Sequence, residues 1–327
     1  IAFTGAIIDT GTGSITYNGD DTLTFSGSID NTFAGGITVN SGTLDLSKDA
    51  GIDASASDIT VNTGGTLSHT NANQIADTAS VTINSGGTWN ANNVAEKINN
   101  VNVLGGTVNK GGTATSRIEV AGDLSMNQGA TIDFSANDAN IQMADGGRIV
   151  YDGTGAGVTI KGNDSTDGRL DLDRDSSSSH IHVFDIADGS DASDMNISVA
   201  LTGFQQEGFE KRGTGVLEFS GSQDNTVNGE VTVSSGTLFL NQSAGTEAIG
   251  NPDSSEDITV ESGGTLQLGA NNQIDDTRDL IINGGTLMLG DLAGTTSLGV
   301  DENFGALTLI ADSVIDFGDL DGTGSGG

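Results

Sequence analysis

The sequence predicts an all-β chain folded as a single-stranded parallel β-helix, or β-solenoid, and three observations carry that prediction. A motif of the form x-T-V-x-S/T-G-G-T-L recurs at Thr43, Thr66, Thr88 and Thr107, at spacings of 23, 22 and 19 residues. It returns at Thr237, Thr265 and Thr286, at spacings of 28 and 21. A period of about 20 residues is too short for an independent domain but suits one coil of a solenoid, whose apolar face is buried only by stacking on its neighbours. The third observation is a longer repeat. Ser26 to Leu46 and Ser220 to Leu240 are identical at 14 of 21 positions, at an offset of 194.

The local chemistry agrees. In ITVNSGTLDL, Ile37 and Val39 alternate with Thr38 and Asn40, and Leu44 and Leu46 flank Asp45. Period 2 places the aliphatic residues on one face and the polar ones on the other. The Asn-Ser-Gly and Ser-Gly-Gly corners tolerate the positive φ that a sharp bend needs. Asn, Ser and Thr at those corners are expected to stack into polar ladders. Two stretches have weak helical character, AEKINN from Ala95 and Asn271 to Thr277, and each is assigned one short turn. The coils should number roughly 14 to 16, about 70 Å of stacked strands. Residues 1–198 form a first repeat unit, with an irregular acidic segment at about 137–198, and residues 199–327 form a partial second copy.

Composition excludes several classes. The chain has 327 residues, no Cys, 11 Lys and Arg against 45 Asp and Glu, and a net charge of -34. There is therefore no disulfide framework and no thiolate chemistry. A nucleic-acid partner is excluded on charge, and no apolar run suits direct membrane insertion of this segment. Gly is 50 of 327 but has no triplet period, and Pro is 1, which excludes collagen. The chain begins at Ile1 without Met or a signal sequence, and reads as a piece of a longer, processed protein.

Candidate chemistry is sparse. His180 and His182 form H-x-H with Asp185 nearby. Two His at i and i+2 share a strand face and could grip one metal, or Ile181 and Val183 could face inward and leave both His in solvent. Asp167, Asp171, Asp173, Asp175, Asp185, Asp188, Asp191 and Asp194 supply hard oxygen ligands in loops. Weak Ca²⁺ sites are one reading, and a solvated acidic insertion is the other. No other cofactor is expected, and no catalytic residues are assigned. Polysaccharide lyases need clustered cations, whereas the 5 Lys and 6 Arg here are scattered. Glycosidases need paired carboxylates, usually with aromatic platforms, and Phe25, Phe134, Phe219 and Phe317 fall at inward positions of the alternation. The glycine runs at Gly153 and Gly322 lack the Lys-Ser/Thr ending of a phosphate loop.

From Phe209, FEKRGTGVLEFSGSQDNTVNGEVTVSSGTLFL resembles the autotransporter-associated β-helix repeat, or passenger-associated transport repeat, of bacterial surface proteins. Lys211, Gly213, Gly215, Leu217, Gly221, Asn225, Thr226, Gly229, Thr232, Val233, Gly236, Thr237 and Leu238 fall on that pattern. In the first copy Asn31, Thr32, Gly35, Gly42 and Leu44 hold, without the Lys. Gly65, Leu67, Gly87, Gly264, Leu266 and Gly285 follow the looser rung pattern. The resemblance implies right-handed coils, an extracellular or cell-surface location and no catalytic signature. The function expected is a structural module of a large surface protein, building a stalk, fibre or coat. The alternative is an adhesin that binds glycans or neighbouring cell surfaces, and a polysaccharide-active enzyme is a more distant one. Partners would be further copies or adjoining repeats end to end, with surface glycans as a second class.

Overall fold

The computed structural model describes residues 1–9, 11–91, 94–112, 116–136, 138–162, 167–172, 180–203, 206–250, 256–290 and 300–317. Contacts divide the chain into two units. The first holds Ile1–Gly147 with Lys161–Arg169, and the second holds Arg148–Ile160 with Leu170–Gly327. The repeat boundary read from sequence, at 198/199, lies inside the second unit.

In the first unit one sheet stacks Ala2–Phe3, Thr22–Gly27, Gly42–Lys48, Gly65–His69, Thr88–Asn90, Thr107–Lys110 and Thr131–Phe134. A second stacks Ile15–Tyr17, Ile37–Val39, Ile59–Val61, Val81–Asn84, Val101–Leu104 and Leu124–Asn127. A short third sheet joins Glu96–Ile98, Arg117–Val120 and Asn140–Met143. The strands pair in parallel, and chain neighbours alternate between sheets, which makes each circuit one coil. The second unit repeats the plan, for example Gly208–Arg212, Val231–Val233, Ile258–Glu261 and Leu280–Asn283 in one sheet. Its other long sheet stacks Val216–Phe219, Gly236–Leu240, Gly264–Leu268 and Thr286–Leu289.

The rung motif is the register of these sheets. Thr22, Thr43, Thr66, Thr88, Thr107 and Thr131 lie directly over one another. One position along, Leu23, Leu44, Leu67, Trp89, Val108 and Ile132 form the buried column beside them. Thr237, Thr265 and Thr286, with Leu238, Leu266 and Leu287, repeat this in the second unit. The β-branched Thr suits an outward strand position, and identical residues in register keep the pleat uniform. At the corners Asn84 donates to Asn62, Asn62 to Asn40 and Asn40 to Asn18, at 2.6–2.7 Å, so the expected polar ladder is present.

Glycine at the corners has a steric cause. Gly42 and Gly236 both have φ of +67°. Gly87 keeps ordinary φ, but a Cβ there would stand 2.7 Å from the Val61 carbonyl oxygen of the preceding coil.

Four expectations need correction. Glu96–Ile98, within AEKINN, is a strand of the third sheet, because Glu96 and Ile98 share an inward face above Ile118 and Val120. Asn271 to Thr277 holds no helical turn: the chain bends at Asn271 and Asn272, the latter with a positive φ of 52°, and Ile274 then bridges to Ile249. The described strands make about 12 turns rather than 14 to 16. Some coils are long: Val158 stands over Met195, 37 positions on, whereas Thr43 stands over Thr66. Phe317 is 54% exposed, unlike the buried Phe25, Phe134 and Phe219. Among the described residues, Val314–Asp316 pairs on one side only, with Thr286–Leu289, so no further strand covers that position.

Between the sheets, where strand pairing is reduced to isolated bridges, buried side chains join the coils. Asn31 Oδ1 accepts from Ile7 N–H at 2.8 Å, and its amide donates to the Ala54 carbonyl at 2.7 Å. Asn225 does the same between Leu201 N–H and the Ala248 carbonyl, both at 2.8 Å. Gln74 Oε1 accepts from Lys48 N–H, and Gln273 Oε1 from Gln242 N–H. Glu96 accepts from the N–H groups of Gln74 and Ile75, and Glu302 from those of Gln273 and Ile274. The repeated N-T and N-Q-I sequences are thus clamps between coils.

Two predictions follow from the clamps. Asn225→Ala orphans a buried N–H and a buried carbonyl, each worth about 1–3 kcal/mol, so chemical denaturation should show a large loss of stability. Asn225→Asp, which keeps the acceptor for Leu201 N–H but sets a buried carboxylate oxygen against the Ala248 carbonyl, should lose stability as well. Burial pushes the Glu302 carboxyl up to about 7, against the pull of the Gln273 and Ile274 N–H groups. Between pH 4.5 and about 7 the folded chain holds a proton that the unfolded chain has released. This contribution is complete at acid pH and is lost as pH rises through about 7. Thermal melts across that range should show a decline that Glu302→Gln flattens.

Candidate functional site

A group of titratable side chains surrounds the strands Arg148–Tyr151, Ile181–Ile186, Gly208–Arg212 and Met195–Ile197 of the second unit. Ile181–Ile186 alternates strictly, with His182, Phe184 and Ile186 buried and Ile181 43% exposed. The solvent-facing reading of His182 is therefore reversed. Phe184 and Ile186 share its parity, and two inward side chains outweigh Ile181 in setting the face. Phe184, Phe209 and Phe219 form an edge-to-face trio with centroids 5.3, 5.8 and 6.4 Å apart.

His182 and Glu207 are both fully buried. His182 Nε2 lies 3.3 Å from Glu207 Oε2, and the partly exposed His180 places Nδ1 3.2 Å from Oε1. The carboxylate bridges the two imidazoles, so the H-x-H pair has one acidic partner that sequence spacing did not reveal. Glu207 follows the positive-φ residue Gln206, which turns the chain back towards His180. Of the two imidazoles, His182 is fully buried and His180 partly exposed.

The acidic residues have separate duties. Asp194 is buried and accepts from Gly189 N–H and Val216 N–H, both at 2.7 Å, one on each oxygen. Asp191 accepts from Gly157 N–H at 2.7 Å. Asp185 pairs with Arg148 at 2.8 Å. Asp171 is buried and accepts from the Thr202 hydroxyl, Asp167 is also buried, and Asp188 is exposed. Asp173 and Asp175 lie outside the described residues. The strict spacing of three from Asp185 to Asp194 therefore does not converge on one point: two of the four carboxylates hold backbone N–H groups and a third holds an arginine. Among the described residues, no group of three or more His, Asp or Glu is arranged to hold a metal. Asp194, Asp191, Asp152 and Asp188 do surround Tyr151, and burial, reinforced by these charges, pushes its phenol above the usual range.

Lys211 sits at the inward parity of Gly208–Arg212, in register with Phe184 and Val233. Its ammonium donates to the carbonyls of Arg212, Gly213 and Ser235 at 2.7, 2.9 and 3.2 Å. Lys48 donates likewise to Gly5, Ser26 and Ile29, and Lys110 to Gly111. These lysines cap turn carbonyls from inside the coil. Sequence reading missed the role in Lys48 and Lys110, although the alternation Leu44, Leu46, Lys48 and Val108, Lys110 is a signal for it. Gly213 and Gly215 lie at the turn beside Lys211, and Gly229 packs against the backbone of Gln206 and Glu207.

Comparison with known proteins gives two findings. The family described as passenger-associated-transport-repeat matches residues 15–46 and 209–238, the two stretches on which the resemblance in sequence rests. A crystal structure of a TibC-catalyzed hyper-glycosylated TibA fragment aligns at 18% identity and a TM-score of 0.29, over 95% of this chain and 97% of that one. Among curated proteins, none matches the sequence.

Burial pushes the Lys211 ammonium from 10.5 down to about 8, against the pull of Asp194 and Asp185. Between those values the unfolded chain keeps a proton that the folded chain has released, so this lysine's penalty on stability eases as pH rises. Melting temperatures of the native chain and Lys211→Met, compared through that range, should diverge in favour of the native chain.

Proposed function

We propose that this chain is a structural part of a surface-displayed bacterial passenger, and that its work is to add stacked coils to a stalk, fibre or coat outside the cell. One observation supports this reading above the others. The residues shared by the two copies are those that join coil to coil: Asn31 and Asn225, Gln74 and Gln273, and the Thr ladders. What the repeat conserves internally is stacking, not a constellation of reactive groups. The two segments that match the passenger repeat contain Asn31 and Asn225 themselves.

The net charge of -34 suits a surface fibre, because it keeps neighbouring copies from associating side by side. Association would then be end to end. Val314–Asp316 and Leu307–Ile310 pair on one side only among the described residues, and Leu307, Leu309, Ile310 and Val314 are exposed. A further coil, from another copy or an adjoining repeat, would cover them. A glycan-binding role has less support. Trp89, Tyr151 and most Phe rings are buried, which removes the usual platforms for sugar rings.

Cryo-electron microscopy of the native full-length protein, with and without a calcium chelator, tests the reading. Regular fibres with an axial repeat of about 4.8 Å are expected. Particles that never join end to end would overturn the fibre. Fibres that dissolve on chelation would assign metal to the acidic loops, and fibres that persist would leave those carboxylates as loop clamps.

A further inference from the structure

Ala79 and Arg278 occupy the same place in the two copies. Ala79 N–H donates to Ala76 O at 2.8 Å, and Arg278 N–H to Asp275 O at 3.1 Å. The carbonyl of Ala79 accepts from Asn99 N–H at 2.9 Å, and that of Arg278 from Gly305 N–H at 2.7 Å. Each stands two residues before a strand of the same sheet, Val81–Asn84 or Leu280–Asn283. The side chains could hardly differ more.

Arg278 is fully buried and reaches back across the coils. Nη1 donates to the carbonyls of Gly229 and Glu256 at 2.9 and 3.1 Å, and Nη2 to that of Val227. The corresponding residues in the first copy, by the aligned DNT and DIT segments, are Gly35, Ser57 and Phe33. There an open notch of about 280 Å³ lies beside the short Ala79 side chain, lined by Ala34, Gly36, Ser57, Asp58 and Ala79 among others, and the buried Phe33 stands where the second copy has Val227. Serine hydroxyls take part of the missing arginine's role: Ser57 Oγ donates to the carbonyls of Phe33 and Ala34 at 3.2 and 2.9 Å, and Ser55 Oγ to that of Ser57 at 2.7 Å, each carbonyl keeping a second lone pair. Asp58, whose Oδ1 holds Ser80 N–H at 2.8 Å, puts a negative charge in the wall.

We propose that this notch binds an arginine side chain presented by a partner polypeptide, whose guanidinium takes the place that Arg278 fills from within in the second copy. A planar fork of donors can meet carbonyls on two successive coils at once, and an ammonium, as a point donor, cannot span them as well. Asp58 adds charge complementarity at the mouth.

Acetyl-arginine amide, titrated into the isotope-labelled full chain, tests the proposal by amide shifts in NMR. Saturable shifts are expected at Ser57, Asp58 and Ala79, with acetyl-lysine amide about tenfold weaker. Ala79→Arg should fill the notch from inside, raise the melting temperature and abolish the shifts. Asp58→Asn, which keeps the acceptor for Ser80, should weaken binding severalfold, and it decides the matter if Ala79→Arg does not fold. No saturable shift, an equal response to lysine amide, or undiminished binding in both variants would overturn the proposal and leave only diffuse attraction of cations to an acidic surface.

Discussion

A solenoid must satisfy the backbone between its sheets, and the rest of this structure depends on how that is done. Within the sheets, parallel ladders pair N–H with carbonyl from coil to coil. At the bends the ladder thins to isolated bridges and single backbone hydrogen bonds, such as Ser55 with Ile75 and Thr226 with Gly250, and a buried group left unpaired there costs about as much as a lost hydrogen bond. This chain answers with side chains that imitate peptide groups. Asn31 and Asn225 accept from one coil and donate to the other neighbour. Gln74, Gln273, Glu96 and Glu302 take N–H groups, and Lys48, Lys110 and Lys211 take carbonyls.

The same constraint accounts for several of the acidic side chains. Asp191 and Asp194 hold loop N–H groups, and Glu207 is committed to two imidazoles. A carboxylate that already accepts from the backbone is a poor starting point for a cation cage, because its ligand-facing lone pairs are partly spent. The fold thus spends its interior polarity on cohesion. The notch at Ala79 differs because the first copy omits a clamp that its counterpart carries.

The coarse fold was legible in the chain itself. Strand alternation placed Ile37, Val39, Leu44 and Leu46 inward, and the spacing of Thr43, Thr66 and Thr88 became a ladder in register. Both signals depend only on neighbouring residues and on a repeat that copies itself. His182 shows where such reading stops. Ile181 and Val183 suggest one inward face, and the side chains that decide it, Phe184 and Ile186, lie on the other parity. The role of Glu96 was lost in the same way, because EKI reads as a helical turn until a third sheet receives it.

By itself, then, the sequence determined that the chain is all-β, parallel, coiled at about 20 residues and stacked through Thr, Gly and aliphatic columns. These follow from periodicity, which is a local property. Only the tertiary structure decided which polar side chains face inward and what they meet there. Lys211 meets three carbonyls from two coils, and Glu207 meets His180 and His182 across a turn. Partners some 20 to 50 positions apart are brought together by coil length and insertions, such as the 37-residue step from Val158 to Met195, and no local pattern encodes that length.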